Sequence, residues 1–484
     1  MLKKQALLTD LYQLTMAQAY WSTGLASKQA SFYMHFRENP FKGGYAVACG
    51  LAQVAELIDG FSFTAQDCKY LKSLQAGKGT VLLDPKFVDS LAEMQLELDI
   101  DAVPEGTVVF PYEPVIRVSG PILQCQIVET ALLNHVNYQT LIATKAARVC
   151  QAAGDGAVAE FGLRRAQGPG GGVFASRAAI IGGCNSTSNV AAGREFSLPV
   201  SGTHAHSWVM AHHDELSAFR AFAEVMPDNC ILLIDTYDVV SGVKNAITVA
   251  KEMEARGQRL AGVRIDSGDL AWLSSQARTL LDEAGLSYVR IIVSNDLDEY
   301  TIQSLRDQGA PIDAWGVGTR LVTAYDQPAL GGVYKLSATR QGEHSIWEPH
   351  LKVSEQLRKA TFPGVLAVRR YHDENNTIIG DMVYSEDAPP TKHIIVDPHD
   401  ELRRKNLSGA QFSELLQPLA RKGTIVWSEV SALEAQENTK RNLASLDASN
   451  KRFLNPHTYP VGLEEKLMAC RDSLILRTRA RRKA

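Results

Sequence analysis

The chain has 484 residues, 45% of them hydrophobic and 21% charged, with a formal net charge of -4. The length exceeds what one hydrophobic core sustains, so two or three domains are expected, and the slightly acidic balance excludes a broad electrostatic surface for nucleic acid. Asp10 and Gln13 interrupt the stretch after Lys3 and Lys4 that a secretory leader would need, no window approaches the ~20 apolar residues of a membrane span, and seven scattered cysteines without a CxxC pair fit a reducing cytoplasm.

Residues 1–145 predict a mixed α/β domain. Asp10 is placed to cap a helix carrying Leu11, Leu14 and Ala17. Tyr12 on that helix reads locally as a core aromatic. Ala30 to Phe36 alternates as a strand, with Phe32, Met34 and Phe36 on one face. A strand-rich piece from Thr107 to Val118 follows, then a long helical pattern from Ile122 to Ala152.

Residues 146–340 repeat one plan: a short apolar run, a polar or glycine-rich end, and often a helical pattern. The runs end at Gly162-Leu163-Arg164-Arg165, Gly182-Gly183-Cys184-Asn185, the segment around His206, Asp235, Asp266, Ser294-Asn295-Asp296 and Gly318-Thr319-Arg320. Buried strands alternating with helices imply a parallel sheet. Seven such units predict an α/β barrel, irregular or incompletely wound, with an open doubly wound sheet as the rival. Barrel chemistry gathers at C-terminal strand ends, where these polar residues stand together, so an enzyme is expected.

Residues 341–484 predict a C-terminal extension. Leu366 to Tyr371 and Asn376 to Tyr384 form a hairpin pattern, and the last fifty residues look helical. The basic tail from Arg477 to Lys483 reads as a solvated, frayed end.

Several constellations could carry chemistry. Arg264, Asp266 and Asp269 sit at one strand end; Asp suits vicinal sugar hydroxyls or Mg²⁺, and Arg suits phosphate or carboxylate. Asp266 or Ser267 could instead cap the following helix. The glycines of Gly316-Val317-Gly318-Thr319 and the Asn295 loop suit a phosphate, as the last two loops of barrels often do. Gly168 to Gly172 lacks the Lys-Ser/Thr of a P-loop and reads as flexible cover. His204 and His206 allow two readings, a metal pair or a nucleophile toward phosphorus. Asp235 could fix the nucleophile's tautomer, and no further histidine stands at the other strand ends to complete a zinc site. Arg164 suits an anionic ring substituent.

These motifs resemble the nicotinate phosphoribosyltransferase family. The resemblance rests on Leu7 to Met16, Phe161 to Pro169, Gly202-Thr203-His204-Ala205-His206-Ser207, Asp235-Thr236-Tyr237-Asp238, Arg264 to Asp269, Ser294-Asn295-Asp296, Gly316 to Arg320, Gly331 to Leu336 and Asn455-Pro456-His457, all in order. It implies the type II phosphoribosyltransferase architecture: an irregular α/β barrel, a flanking mixed α/β N-terminal domain and a C-terminal extension. It also implies a homodimer with shared active sites, and nicotinate, phosphoribosyl pyrophosphate and ATP as substrates with Mg²⁺ as cofactor. The product would be nicotinate mononucleotide, the entry of nicotinate into NAD salvage. By the same resemblance His206 is the residue phosphorylated from ATP, positioned by Asp235. Arg264 and Asp266 hold the donor ribose, and Asn295, Gly316, Gly318 and Thr319 surround its 5-phosphate. Arg164 binds the nicotinate carboxylate, Phe161 stacks on the ring, and Asp10 and Tyr12 reach the partner subunit's pocket. Ser188 stands where related nicotinamide enzymes carry Asp, which favours an acid over an amide substrate. Gly170-Gly171-Gly172 and Cys184 depart from the family pattern, which predicts a local loop difference.

Overall fold

A computed structural model describes residues 6–342, 344–353 and 361–481. The chain divides into two compact units, one of residues 1–141 and 329–484 and one of residues 142–328.

The first unit is built on two large sheets, beside a two-stranded pairing of Ala46–Val47 with Val108–Val109. A seven-stranded antiparallel sheet runs in the order Glu348–Pro349, Val333–Arg340, Gln29–His35, Ile116–Pro121, Asp99–Ala102, Gln417–Arg421 and Thr424–Ile425. Strands from both ends of the sequence therefore share one sheet. The second sheet holds the expected hairpin, Leu366–His372 against Ile378–Ser385. A helical cluster packs Leu14, Ala17, Phe63, Leu71, Phe87 and Leu123 into a core. Its opening helix, Leu11–Ser22, begins with a capping box between Asp10 and Gln13. Tyr12 on this helix is 48% exposed, so the reading of it as a core aromatic is corrected. Leu14 and Ala17 take the buried stripe, and Tyr12 falls outside it.

The second unit carries a six-stranded parallel sheet. Its strands are β1 (Ala157–Glu160), β2 (Ser186–Thr187), β3 (Ile231–Leu233), β4 (Gly262–Ile265), β5 (Arg290–Asn295) and β6 (Ala314–Val317), in the order β2-β1-β6-β5-β4-β3. Val158, Leu232, Val263, Val293 and Val317 are fully or nearly fully buried, as a sheet covered on both faces requires. Val200 adds a single parallel bridge to Thr187 at the β2 edge. Among the described residues no strand pairing closes the sheet between that segment and β3, which gives an irregular, open-seamed α/β barrel.

Aspartates and one asparagine cap the helices around this sheet. Asn189, Asp214, Asp238, Asp269 and Asp298 each accept a backbone N–H from the first turn of the next helix. Asp269 is thus the cap of Leu270–Glu283, and Asp266 and Ser267 are not. Gly168 to Gly172 is also corrected: it forms the first turn of the helix Gly168–Ile181 rather than loose cover. Pro169 presets that turn, and a Cβ on Gly172 would lie 2.6 Å from Leu163 Cδ1, so the Leu163 side chain would have to swing aside for any larger residue there. The tail is helical to Arg481 in Glu465–Arg481, and Arg482 and Lys483 lie outside the described residues.

Candidate active site

The C-terminal ends of the parallel strands open onto one cavity of about 800 Å³ in the second unit. Phe161 and Arg164 line it after β1, Ser188 after β2, Arg264 and Asp266 at β4, Asn295 at β5, and Gly316, Gly318 and Thr319 at β6. His204 and His206 line it from the segment after Val200. Residues far apart in sequence converge because strand ends of a parallel barrel share one mouth.

Two glycines shape this mouth. A Cβ on Gly316 would sit 2.7 Å from the Phe161 ring, and one on Gly318 would sit 3.1 Å from the Phe161 carbonyl oxygen. The Phe161 side chain can lie across β6 only because Gly316 has none. Asn295 adopts φ 136°, a left-handed value that exposes the turn, and its side chain accepts the Asp296 N–H at 2.8 Å. Thr319 starts the short helix Thr319–Val322.

His206 is the first residue of the helix His206–Met210, with its side chain 39% exposed. Its Nδ1 lies 3.2 Å from the Thr236 hydroxyl. Its Nε2 faces two carboxylates, Asp235 Oδ1 at 3.9 Å and Asp266 Oδ2 at 4.0 Å. Asp235 is 1% exposed; its Oδ2 accepts the Asp266 N–H and the Ser267 hydroxyl, while Oδ1 is buried without a hydrogen-bond partner. A short hydrogen bond from Ser294 holds the other oxygen of Asp266. The imidazole is therefore oriented by a hydroxyl on one side and fronts carboxylate oxygens on the other.

His204 is differently placed. Its Nε2 accepts the Leu233 N–H at 3.2 Å, and its Nδ1 lies 3.3 Å from the Ala205 carbonyl oxygen. Burial pushes its pKa down to about 4. Both nitrogens are engaged inward, so His204 and His206 do not converge as ligands, and no cluster of three or more His, Cys, Asp or Glu suited to a metal occurs among the described residues. Arg264 donates to Thr203 Oγ1 and to the His204 carbonyl, leaving Nε buried without a partner. Burial lowers its pKa, partly countered by Asp266 and Asp235.

Sequence reasoning missed Thr236 and Glu160. Glu160 ends β1, fully buried, and accepts from Gly162 N–H, Ser176 and Thr187. It fixes the turn that carries Phe161 and Arg164. A lone acid closing the apolar run Ala157-Val158-Ala159 was the available signal. Asp10 and Tyr12 lie in the first unit and are not among the lining residues of this cavity. Asp10 accepts a hydrogen bond from Thr130 at 2.9 Å.

The parallel strands and their shared mouth place the chain among α/β-barrel enzymes. Residues 7–137 match the nicotinate phosphoribosyltransferase (NAPRTase) N-terminal domain, residues 157–377 the NAPRTase family and residues 367–471 the nicotinate phosphoribosyltransferase C-terminal domain. The chain is 43% identical to a nicotinate phosphoribosyltransferase of Bacillus subtilis, with 94% of this chain and 92% of that protein covered. It is 33% identical to one of Mus musculus, over 97% of each. The crystal structure of human nicotinic acid phosphoribosyltransferase superposes with a TM-score of 0.84 at 32% identity, covering 96% of this chain and 99% of the other. The chain belongs to the nicotinate phosphoribosyltransferase family.

Proposed function

We propose that the chain joins nicotinate to phosphoribosyl pyrophosphate, forming nicotinate mononucleotide and pyrophosphate, and couples this to ATP hydrolysis through phosphorylated His206. The observation that carries the reading is the His206 imidazole, tethered by Thr236 and fronting Asp235 and Asp266 at the cavity mouth. A ring nitrogen oriented in this way is a nucleophile for a phosphoryl group. The residues along the cavity divide the remaining work. Arg164 pairs with the nicotinate carboxylate, and Phe161 stacks on its ring. Ser188 can donate to a carboxylate where an acid would repel it. Asp266 accepts from the ribose hydroxyls, and Arg264 keeps a positive charge at the cavity floor. Asn295, Gly316, Gly318 and Thr319 surround the 5-phosphate.

The ring nitrogen then attacks C1 of the ribose as the bond from C1 to the pyrophosphate oxygen breaks. Positive charge gathers on the sugar and negative charge on the departing oxygen, so placement and fixed charge supply most of the catalysis. Asp266 and the unpartnered Oδ1 of Asp235 are hard oxygen donors and fit Mg²⁺. When bound there the ion would neutralise polyphosphate charge.

The homodimer belongs to the same proposal. The helix Leu11–Ser22 exposes Leu11, Tyr12 and Met16, and the barrel mouth exposes Leu163, Val190 and Val200. Apolar side chains grouped on a surface favour a protein partner. A second copy that brings Asp10 and Tyr12 to the mouth would cover both sets.

The deciding experiment measures nicotinate mononucleotide formation with and without ATP. His206→Ala is expected to lose the ATP-linked rate and keep at most slow ATP-independent transfer. Undiminished ATP stimulation in that variant contradicts the assignment.

A further inference from the structure

The parallel sheet has two ends. At one, the Val200 segment bridges Thr187; at the other lies β3. A closed barrel would pair the two, with backbone carbonyls taking the outward N–H groups of β3. Leu233 instead donates to a side chain, the Nε2 of His204. The opposite nitrogen of that ring faces the Ala205 carbonyl, so the proton belongs on Nδ1 and Nε2 is the acceptor. The ring stands edge-on to Phe222, with centroids 4.7 Å apart, which fixes its plane. Arg264 reaches from β4 to Thr203 and to the His204 carbonyl. Thr203 and His204 are thus tied to both β3 and β4, and the next residue, Ala205, is the cap of the helix that begins at His206.

We propose that His204 is a positioning residue: its imidazole stands in for the missing strand opposite Leu233, closes the barrel seam, and so holds His206 at its distance from Asp235 and Asp266. The proposal rests on the reading of His206 as the phosphorylated residue. A deeply buried backbone N–H needs an acceptor, and the seam offers Leu233 this one. The pKa of about 4 keeps the ring neutral, and able to accept, over the pH range of ordinary assays.

Two variants separate packing from hydrogen bonding. His204→Leu fills the space beside Phe222 and cannot accept. His204→Gln keeps an oxygen near the position of Nε2. Three quantities are read in each: hydrogen exchange at the Leu233 amide, acid-labile phosphoenzyme formed from labelled ATP, and nicotinate mononucleotide formation with and without ATP. His204→Leu is expected to speed Leu233 exchange at least about tenfold, the loss of one hydrogen bond. It is also expected to lower phosphoenzyme and the ATP-linked rate about tenfold, with ATP-independent transfer kept within about twofold. His204→Gln is expected to restore all three. Unchanged Leu233 exchange in His204→Leu, a parallel fall of both rates, or a Gln variant no better than Leu overturns the proposal. Should neither variant fold, selective ¹⁵N labelling of the wild-type histidines decides: the Nδ1–H tautomer at His204 supports the seam, and the Nε2–H tautomer overturns it. A wild type that forms no phosphoenzyme removes the His206 reading and with it the positioning half of the proposal, while the exchange data still judge the seam.

Discussion

His35, His135 and His204 are buried, and burial lowers their pKa values to about 3, about 4 and about 4. In the unfolded chain each returns to about 6.5. Their neutral forms therefore contribute stability that is complete above that value and is lost as the pH falls toward the folded values. Between these limits the unfolded chain binds up to about three more protons than the folded one from these groups alone. The melting temperature is expected to drop steeply between pH 6 and pH 4.5, as thermal unfolding at constant ionic strength would show. A protein that gains stability on acidification through that window contradicts the burial of these rings. At the same scale, Asp235 and Asp266 stand out in the sequence as candidates because each directly follows an apolar run, and His206 because it is half of a His-Ala-His pair. Glu160 follows an apolar run in the same way, yet nothing local to it marks a buried acceptor. Its partners Ser176 and Thr187 lie 16 and 27 residues away, one on the helix Gly168–Ile181 and the other paired with Glu160 across the sheet, and only the fold brings them to one carboxylate.

The turn from β4 into Leu270–Glu283 holds two aspartates with different duties. Asp269 caps the helix by accepting the Trp272 N–H at 3.1 Å, and Asp266 lines the cavity. Asp269→Ala is expected to cost about 1 kcal/mol of stability, as cap removal generally does, and to leave turnover near wild type. Asp266→Asn is expected to do the reverse, with a small change in melting and a large loss of kcat/KM for phosphoribosyl pyrophosphate. Paired denaturation and steady-state assays check the crossing; equal kinetic losses in both variants would sink the division. Spacing offered Asp266 or Ser267 as the cap and passed over Asp269, because a cap depends on backbone geometry at a single residue. Gly168 to Gly172 was misread for a related reason. Four glycines lower helix propensity, yet Pro169 and the close approach of Leu163 to Gly172 make a helical turn fit there.

Alternation of strand and helix made the parallel barrel legible, because period and punctuation are local properties. The position of the open seam was not, since it depends on which edges meet. At the scale of the assembled protein, the proposed dimer makes a quantitative claim. His206→Ala damages the barrel mouth, and Tyr12→Ala damages the helix that a second copy would bring to it. Each variant alone is expected to be nearly inactive in ATP-linked turnover. Mixed and allowed to exchange subunits, they are expected to recover about a quarter of wild-type activity, because half the dimers are hybrids with one intact site of two. No recovery under conditions of proven exchange would show that each site is built from a single chain.

The antiparallel sheet of the first unit sets an order of events during synthesis. Asp99–Ala102 leaves the ribosome early, but its neighbour Gln417–Arg421 follows more than 300 residues later. Until then that strand presents an open edge, the kind of surface on which nascent chains aggregate. Residues 142–328 form a contiguous unit and can fold as they emerge, while the first unit waits for its last strands. The nascent chain thus carries a finished catalytic barrel and an unfinished sheet at once, and the demand for chaperone protection falls on the sheet.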